Sequence, residues 1–262
     1  MKKNRVFSDR NITAPENNST LVGFVTSKTL FAFDFDGTLA GFKDDPDEVF
    51  LAQTVFDELE SLCRKAFVVV LSGRSSEDVK KRLPSQVSRI VGNHGAEMQD
   101  DPVKRQKCRT KVQTWALQLP AILESLGHNN FRLEEKGVSL TVHFAEMRPN
   151  SAEFLRKELS ASLRPKARIF DGRRCLNLVC RELPHKGDAL LKIMHAERFE
   201  KAIYVGDDLT DEDVFNLSDE RILTIRVGHT GSTAAEFTLE SHKDIMTLLS
   251  RINSMLPNRD WL

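Results

Sequence analysis

Four small polar clusters in this chain have residue types suited to moving a phosphoryl group. They are Asp34 and Asp36 in Phe31-Ala32-Phe33-Asp34-Phe35-Asp36-Gly37-Thr38, then Ser72, then Lys186, then Asp207 and Asp208. An aspartate carboxylate can attack phosphorus and split one difficult step into two through an aspartyl-phosphate. A second carboxyl two residues on can protonate the leaving oxygen and later deprotonate the incoming water. The transferred group spreads negative charge over its oxygens, so the rest of the work is positioning and positive charge. Lys186 and the Ser72 hydroxyl would supply donors. Asp34, Asp36 and Asp207 repel one another unless a cation sits among them, and Mg²⁺ prefers oxygen ligands of this kind.

Each cluster also has a structural reading. Asp and Gly form turns readily, and Ser72 suits a helix N-cap. Lys186 can be a solvated lysine, although a first helical turn disfavours a cation. In Thr210-Asp211-Glu212-Asp213, Thr210 reads as an N-cap followed by first-turn acids. That leaves Asp207 and Asp208, at the end of a buried strand, without a capping role. His94 and Glu97 can also simply structure their own loop.

The elements that must hold these clusters follow from apolar patterning. Leu30 opens an apolar run that ends at the two aspartates. In an extended segment, residues two apart face the same side, so Asp34 and Asp36 are expected to aim at one point. Pro46 is expected to open a helix over about 47–66. Phe67–Leu71 is a continuous apolar run, the mark of a parallel strand covered on both faces. A helix follows from Ser72-Gly73-Arg74 to about Leu83, then a strand near 88–91. Pro184 opens another helix, Ala202–Val205 is a strand, 222–227 is a late strand, and Ile245–Ile252 marks the last helix. Alternating strand and helix, with polar and glycine residues after the strands, predicts a doubly wound, Rossmann-like parallel α/β sheet.

Between these stretches the pattern changes. A helix over about 103–126 precedes strands near 131–136 and 138–144, a helix near 151–163, and strands near 167–170 and 175–180. In the second strand Val138, Leu140, Val142 and Phe144 face one way, and Ser139, Thr141 and His143 the other, which is antiparallel in character. The expected organisation is a core of 1–97 and 185–262, with 1–27 a loosely held polar arm, and an inserted α+β cap over 98–184. The polar strand face of the cap is expected to be available to a ligand.

The 262 residues carry 38 basic and 38 acidic side chains. Zero net charge argues against broad nucleic-acid or anionic-membrane binding. The basic start is not followed by an apolar signal core, and no run of about 18 apolar residues occurs, so a cytoplasmic protein is expected. Cys63, Cys108, Cys175 and Cys180 form no Cys-x-x-Cys pair, which speaks for free thiols rather than zinc.

Taken in order, Asp34-Phe35-Asp36-Gly37-Thr38, Ser72, Lys186 and Gly206-Asp207-Asp208 resemble the four motifs of the haloacid dehalogenase superfamily of phosphohydrolases. The likeness is closer to one branch. Leu71-Ser72-Gly73-Arg74, His94-Gly95-Ala96-Glu97, Lys186-Gly187 and Tyr204-Val205-Gly206-Asp207-Asp208 through Asp213 are similar to the trehalose-6-phosphate phosphatases, over about residues 30–250.

The resemblance implies Asp34 as nucleophile, Asp36 as general acid/base, and Mg²⁺ held by Asp34, the main-chain carbonyl of Asp36 and Asp207. Asp208 and Asp211 would lie near the metal or its waters. Gly73, Arg74, His94 and Glu97 would face substrate, and Glu134, Lys136 and His143 in the cap would contact the sugar. Where that family usually carries a glutamate on the later cap strand, this chain has Asn177 or an apolar neighbour, which bears on which sugar is bound. Trehalose 6-phosphate is the expected substrate. Another sugar phosphate, or a non-catalytic sensor of one, is the alternative; a sensor has no need of a nucleophile.

Overall fold

The computed structural model describes residues 10–43, 45–145, 151–172, 174–228 and 232–257. The chain divides into two units. One holds residues through His94 and from Lys186 onward; the other is Gly95–His185.

The first unit is built on a six-stranded parallel sheet. Its elements are α1 (Asn18–Phe24), β1 (Thr29–Phe33), α2 (Gln53–Lys65), β2 (Phe67–Leu71), α3 (Ser76–Lys80) and β3 (Arg89–Val91). In the second unit come α4 (Pro102–Ser125), β4 (Phe131–Glu135), β5 (Ser139–Phe144), α5 (Ser151–Ser162), β6 (Ala167–Gly172) and β7 (Cys175–Cys180). The first unit then resumes with α6 (Lys186–Ala196), β8 (Lys201–Gly206), α7 (Glu212–Phe215), β9 (Ile222–Val227), β10 (Phe237–Leu239) and α8 (Ile245–Met255).

The large sheet has the order β10-β9-β8-β1-β2-β3, with every neighbouring pair parallel. All five residues of β1 are buried, as its unbroken apolar run requires of a strand covered on both faces. From β1 the chain moves outward through β2 to β3; on its return it moves the other way, from β8 to β10. The order therefore reverses between β1 and β8, and the carboxyl ends of those two strands flank the switch point where open α/β sheets bind ligands. Asp34 follows β1 and Asp207 follows β8.

The second unit has a four-stranded antiparallel sheet of order β4-β5-β7-β6. Val138, Leu140 and Val142 of its apolar face pack with Val112, Trp115 and Leu119 of α4 and Leu155 and Leu159 of α5 in one core. Trp115 is fully buried and its indole N–H donates to the Pro165 carbonyl at 2.7 Å, so its one polar atom is satisfied.

Several expectations are corrected. The segment expected as a loose arm is anchored from Arg10 onward; the part before Arg10 lies outside the described residues. Ile12, Leu21 and Val25 join the main core, and Asn11 pairs with Thr238. The helix expected at 47–66 starts at Gln53: Pro46–Glu48 is a separate 3₁₀ turn capped by Asp45. The helix after Ser72 begins only at Ser76, with Ser75 as its N-cap, accepting from the Asp78 N–H. The polar face of β5 is not a free surface, because Ser139 and Thr141 are buried and only His143 is half-exposed. Among the described residues, no helix is long and apolar enough to cross a membrane.

Candidate active site

Asp34 lies one residue past β1, with its backbone N–H donating to the Val205 carbonyl at 2.9 Å. The strand has already ended at Phe33, so strict alternation does not carry through to Asp36. The two carboxylates take different partners. Asp34 Oδ1 accepts from Lys186 Nζ at 2.9 Å. Asp36 is held by Arg74 through a two-pronged pair, Nε to Oδ2 at 2.7 Å and Nη2 to Oδ1 at 2.8 Å. Arg74 also donates to Asp78 at 2.9 Å, and Asp78 accepts from Arg82. Burial works against the charge of Asp78, yet bonds from Arg82 and Arg74 hold its pKa below the ordinary value.

Lys186 is the first residue of α6 and 1% exposed. A buried cation at a helix N-terminus needs strong compensation. It has two carboxylates: Asp34, and Asp211 at 2.7 Å. Burial alone would push the ammonium pKa down, but Asp211 and Asp34 together raise it well above its usual value.

Asp211 is completely buried and accepts four bonds. Oδ1 takes Lys186 Nζ and, at 2.6 Å, the hydroxyl of Tyr204; Oδ2 takes the backbone N–H groups of Asp207 and Asp208, both at 2.9 Å. This residue ties α6 and β8 to the loop that presents Asp207. Asp208, not Thr210, is the N-cap of the turn Leu209–Asp211, accepting from the Leu209 N–H at 2.7 Å. Capping thus accounts for Asp208, and Thr210 is a buried residue of the turn.

Asp207 takes the Thr38 hydroxyl at 3.0 Å. Gly37 has φ +82°, and a Cβ there would lie 2.1 Å from Asp207 Oδ2, so this approach requires glycine. Carboxylate oxygens of Asp34, Asp207 and Asp211 lie within 4.8 Å of one another. Burial first, then the neighbouring carboxylates, raises Asp207 to about 9. Burial, with Asp211 and Asp36 adding to it against Lys186, raises Asp34 to about 7. Burial likewise raises Asp208. This is a set of hard oxygens with more negative charge than Lys186 balances, and it fits a hard divalent cation. The bonds already made by Asp211 suit it to orienting the set.

Ser72 is fully buried; its hydroxyl accepts from the Arg74 N–H at 3.1 Å. Its N-cap reading fails, since Ser75 fills that role. His94 packs against Gly73, where a Cβ would come within 2.5 Å of the imidazole, and its backbone N–H donates to the Ser72 carbonyl. Glu97 falls in the 3₁₀ turn Asn93–Met98, in the part belonging to the second unit.

In the second unit the sheet register gathers the other expected residues. Glu134 is opposite Thr141, and Thr141 opposite Asn177. His143 Nε2 donates to Glu134 Oε2 at 2.7 Å, Lys136 Nζ lies 3.6 Å from the same oxygen, and Thr141 donates to Asn177 Oδ1 at 2.8 Å. The His143 bond, helped by Lys136, lowers Glu134 to about 2. Its folded pKa lies below the ordinary glutamate value of 4.5, so its contribution to stability is present above about pH 4.5 and is lost as pH falls toward 2. The Glu134 carboxyl is expected to titrate near pH 2 by NMR, and His143→Ala to raise that midpoint by about one unit or more. An unmoved midpoint would remove His143 as the cause.

Tyr204 and Arg82 carry no expected role, though both support the site. Tyr204 was findable: it is the chain's single tyrosine, set inside an apolar strand, where a buried hydroxyl needs a partner.

The model of the trehalose-phosphatase family matches residues 32–243. The chain is 29% identical over 257 residues to the trehalose-phosphate phosphatase of Mycobacterium tuberculosis (strain ATCC 25618 / H37Rv), covering 89% of this chain and 63% of that protein. It is 26% identical over 242 residues to the probable trehalose-phosphate phosphatase E of Arabidopsis thaliana, covering 84% of this chain and 68% of that one. The chain thus spans less than two thirds of the length of the mycobacterial relative. The solved C-terminal domain of C. albicans trehalose-6-phosphate phosphatase has the same fold, with TM-score 0.70, 19% identity and coverage of 91% and 97% of the two chains. A solved trehalose-6-phosphate phosphatase related protein matches with TM-score 0.65 and 23% identity, covering 87% and 98%. With the family model spanning most of its length, this chain belongs to the trehalose-phosphatase family.

Proposed function

We propose that this chain is a Mg²⁺-dependent phosphatase that hydrolyses trehalose 6-phosphate to trehalose and phosphate. The observation that carries the reading is the Asp34–Lys186–Asp211 arrangement beside Asp207 at the sheet's switch point. Family membership and the trehalose-phosphatase relatives support it.

In this reading a carboxylate oxygen of Asp34 attacks phosphorus, the P–O bond to the sugar breaks, and an aspartyl-phosphate forms. Asp36 protonates the departing sugar oxygen, then takes a proton from the water that cleaves the intermediate. Arg74, which donates to both carboxylate oxygens of Asp36, fixes where that carboxylate points. Lys186 and Ser72 direct donors at the phosphoryl oxygens. Asp34, Asp207 and the Asp36 carbonyl would hold Mg²⁺, with Asp208 and Asp211 behind them. When bound, the ion supplies positive charge that offsets repulsion between carboxylate and phosphate. The first unit acts as catalytic core and the second as cap. A cytoplasmic setting fits the four free cysteines.

Phosphate, metal and leaving oxygen are common to all phosphomonoesters, so sugar choice is assigned to Glu134, Lys136, His143 and Asn177, while Gly73, Arg74, His94 and Glu97 are assigned to substrate binding more generally. Asn177 lacks the charge that strengthens a carboxylate–hydroxyl bond, so sugar discrimination is expected to be weaker than with a glutamate there. A panel of sugar phosphates tests the substrate. Trehalose 6-phosphate should give the highest kcat/KM. Lys136→Ala should lower that value by about 30-fold or more while changing a small aryl phosphate by less than about threefold. Equal losses for both, or a better sugar phosphate in the panel, would overturn the substrate and leave the phosphatase chemistry standing.

A further inference from the structure

Outside the catalytic cluster, the described residues bring together a second set of metal-ligating side chains, wholly within the second unit. Cys108 Sγ, Cys180 Sγ and a carboxylate oxygen of Glu182 all lie within 4.8 Å of one another. Cys108 is on α4, Cys180 is the last residue of β7, and Glu182 follows just after that strand. The two cysteines are 72 residues apart, so no short Cys spacing announces them.

A buried cysteine often acts as no more than a small apolar side chain. Cys108 and Cys180, 2% and 0% exposed, do join the apolar core with Val112 and Trp115, and the Cys180 thiol donates weakly to the Cys108 carbonyl at 3.7 Å. Packing explains their burial. It does not explain why a carboxylate comes close to both sulfurs, because the Glu182 side chain is 59% exposed and has water open to it. A cation is already drawn to this place. Lys111, one turn after Cys108 on α4, donates its ammonium to Glu182. That bond, with the two cysteines adding to it, holds Lys111 above its ordinary pKa.

The donor set selects the ion. Thiolates are soft ligands and a carboxylate is a hard one; Zn²⁺ is borderline and takes both. Zn–S bonds of about 2.3 Å at tetrahedral angles set two sulfurs about 3.8 Å apart. The three donor atoms are already gathered to within about 1 Å of that spacing. Three protein ligands leave the fourth position to water.

We propose that Cys108, Cys180 and Glu182 form a Zn²⁺ site that ties α4 to the end of β7. On binding, each thiol releases its proton to solvent and its sulfur bonds the ion, so two protons leave per Zn²⁺. Lys111 stays protonated and gives up its bond to Glu182. Lys111 and Glu182 are 25% and 59% exposed, and so open an ion pair costs little to break.

The test titrates the intact chain, reduced with a phosphine and held in excess Mg²⁺, with Cd²⁺ as a spectroscopic stand-in for Zn²⁺. Cd²⁺ bonded to thiolate gives an ultraviolet charge-transfer band, and Cd²⁺ bonded to carboxylate does not. A band saturating at one ion per chain is expected, and Zn²⁺ should release two protons per chain into weak buffer. Cys108→Ser and Cys180→Ser should each weaken the complex by about tenfold or more, the least that loss of a ligand should cost, and Cys63→Ser should leave it unchanged. Glu182→Gln, at an exposed position, should weaken it similarly and keeps the test open where a serine variant fails to fold. Lys111→Gln, which removes the competing ammonium, should tighten it by about two- to fivefold. No band at about 1 mM Cd²⁺ overturns the proposal, as does a band of full strength in either serine variant or in Glu182→Gln.

Discussion

Replacing Asp34 by asparagine is expected to lower kcat for the proposed ester hydrolysis by about 10⁴-fold or more, the scale on which loss of a nucleophile is felt. The amide keeps the shape of the carboxylate but has no charge with which to attack phosphorus. The position is held by its backbone N–H to Val205, a bond the substitution leaves intact. Binding of substrate should change by less than about tenfold, since removing a carboxylate also removes its repulsion of phosphate. Steady-state kinetics with a separate binding measurement distinguish the two effects. Turnover within about tenfold of wild type would exclude Asp34 as nucleophile.

The second large effect is on stability, and it separates two aspartates that look alike in sequence. Asp211 is fully buried and accepts four hydrogen bonds, one of them from a buried ammonium. Asp211→Ala strands Tyr204 OH, two backbone N–H groups and half the compensation of Lys186. Removing one partner of a buried charge pair costs about 3–5 kcal/mol. For a chain this long that lowers the thermal midpoint by about 10 °C.

Asp207→Asn should behave oppositely. Burial, then Asp34, Asp211 and Asp208, holds the Asp207 carboxyl up near 9. Its folded pKa is above its unfolded value, so its contribution to stability is fully present below about pH 4 and is lost as pH rises toward 9. In chelator, Asp207→Asn should therefore unfold no earlier than wild type at pH 6, and later at pH 8.5, while activity is lost. Thermal melts of both variants at the two pH values check this. An Asp207→Asn variant that melts as early as Asp211→Ala would mean that Asp207 also holds the fold together.

What the sequence disclosed tracks how locally each feature is written. β2 is a continuous apolar run with a helix on one side and Ser72 on the other, and it spans Phe67–Leu71 as expected. The alternation of Val138 to Phe144 named the apolar face of β5 for the same reason, though not the burial of Ser139 and Thr141 on the other face. The N-terminal segment was hidden because Ile12, Leu21 and Val25 are spaced too widely among polar residues to show a period. β10, three residues long, is too short to carry one.

Within the site, Lys186 was legible because a lysine in a first helical turn contradicts the helix dipole and so requires a partner. The role of Asp211 was not, because an acid in a first turn is what capping already predicts; its real partners come from α6 and β8, distant in sequence. The grip of Arg74 on Asp36 was equally hidden, since it joins residues after two different strands. The alternation argument for Asp34 and Asp36 extended the strand three residues past Phe33, where β1 ends, so their different partners were not legible from it.

The most direct test of the central claim is rapid-quench trapping with trehalose 6-phosphate labelled in its phosphoryl group, followed by peptide mapping. A protein-bound, hydroxylamine-labile phosphoryl group on Asp34, formed and consumed at rates that account for kcat, is the predicted result. Phosphate released in the first turnover with the phosphoryl group at another residue, or with none ever found on Asp34, would contradict it.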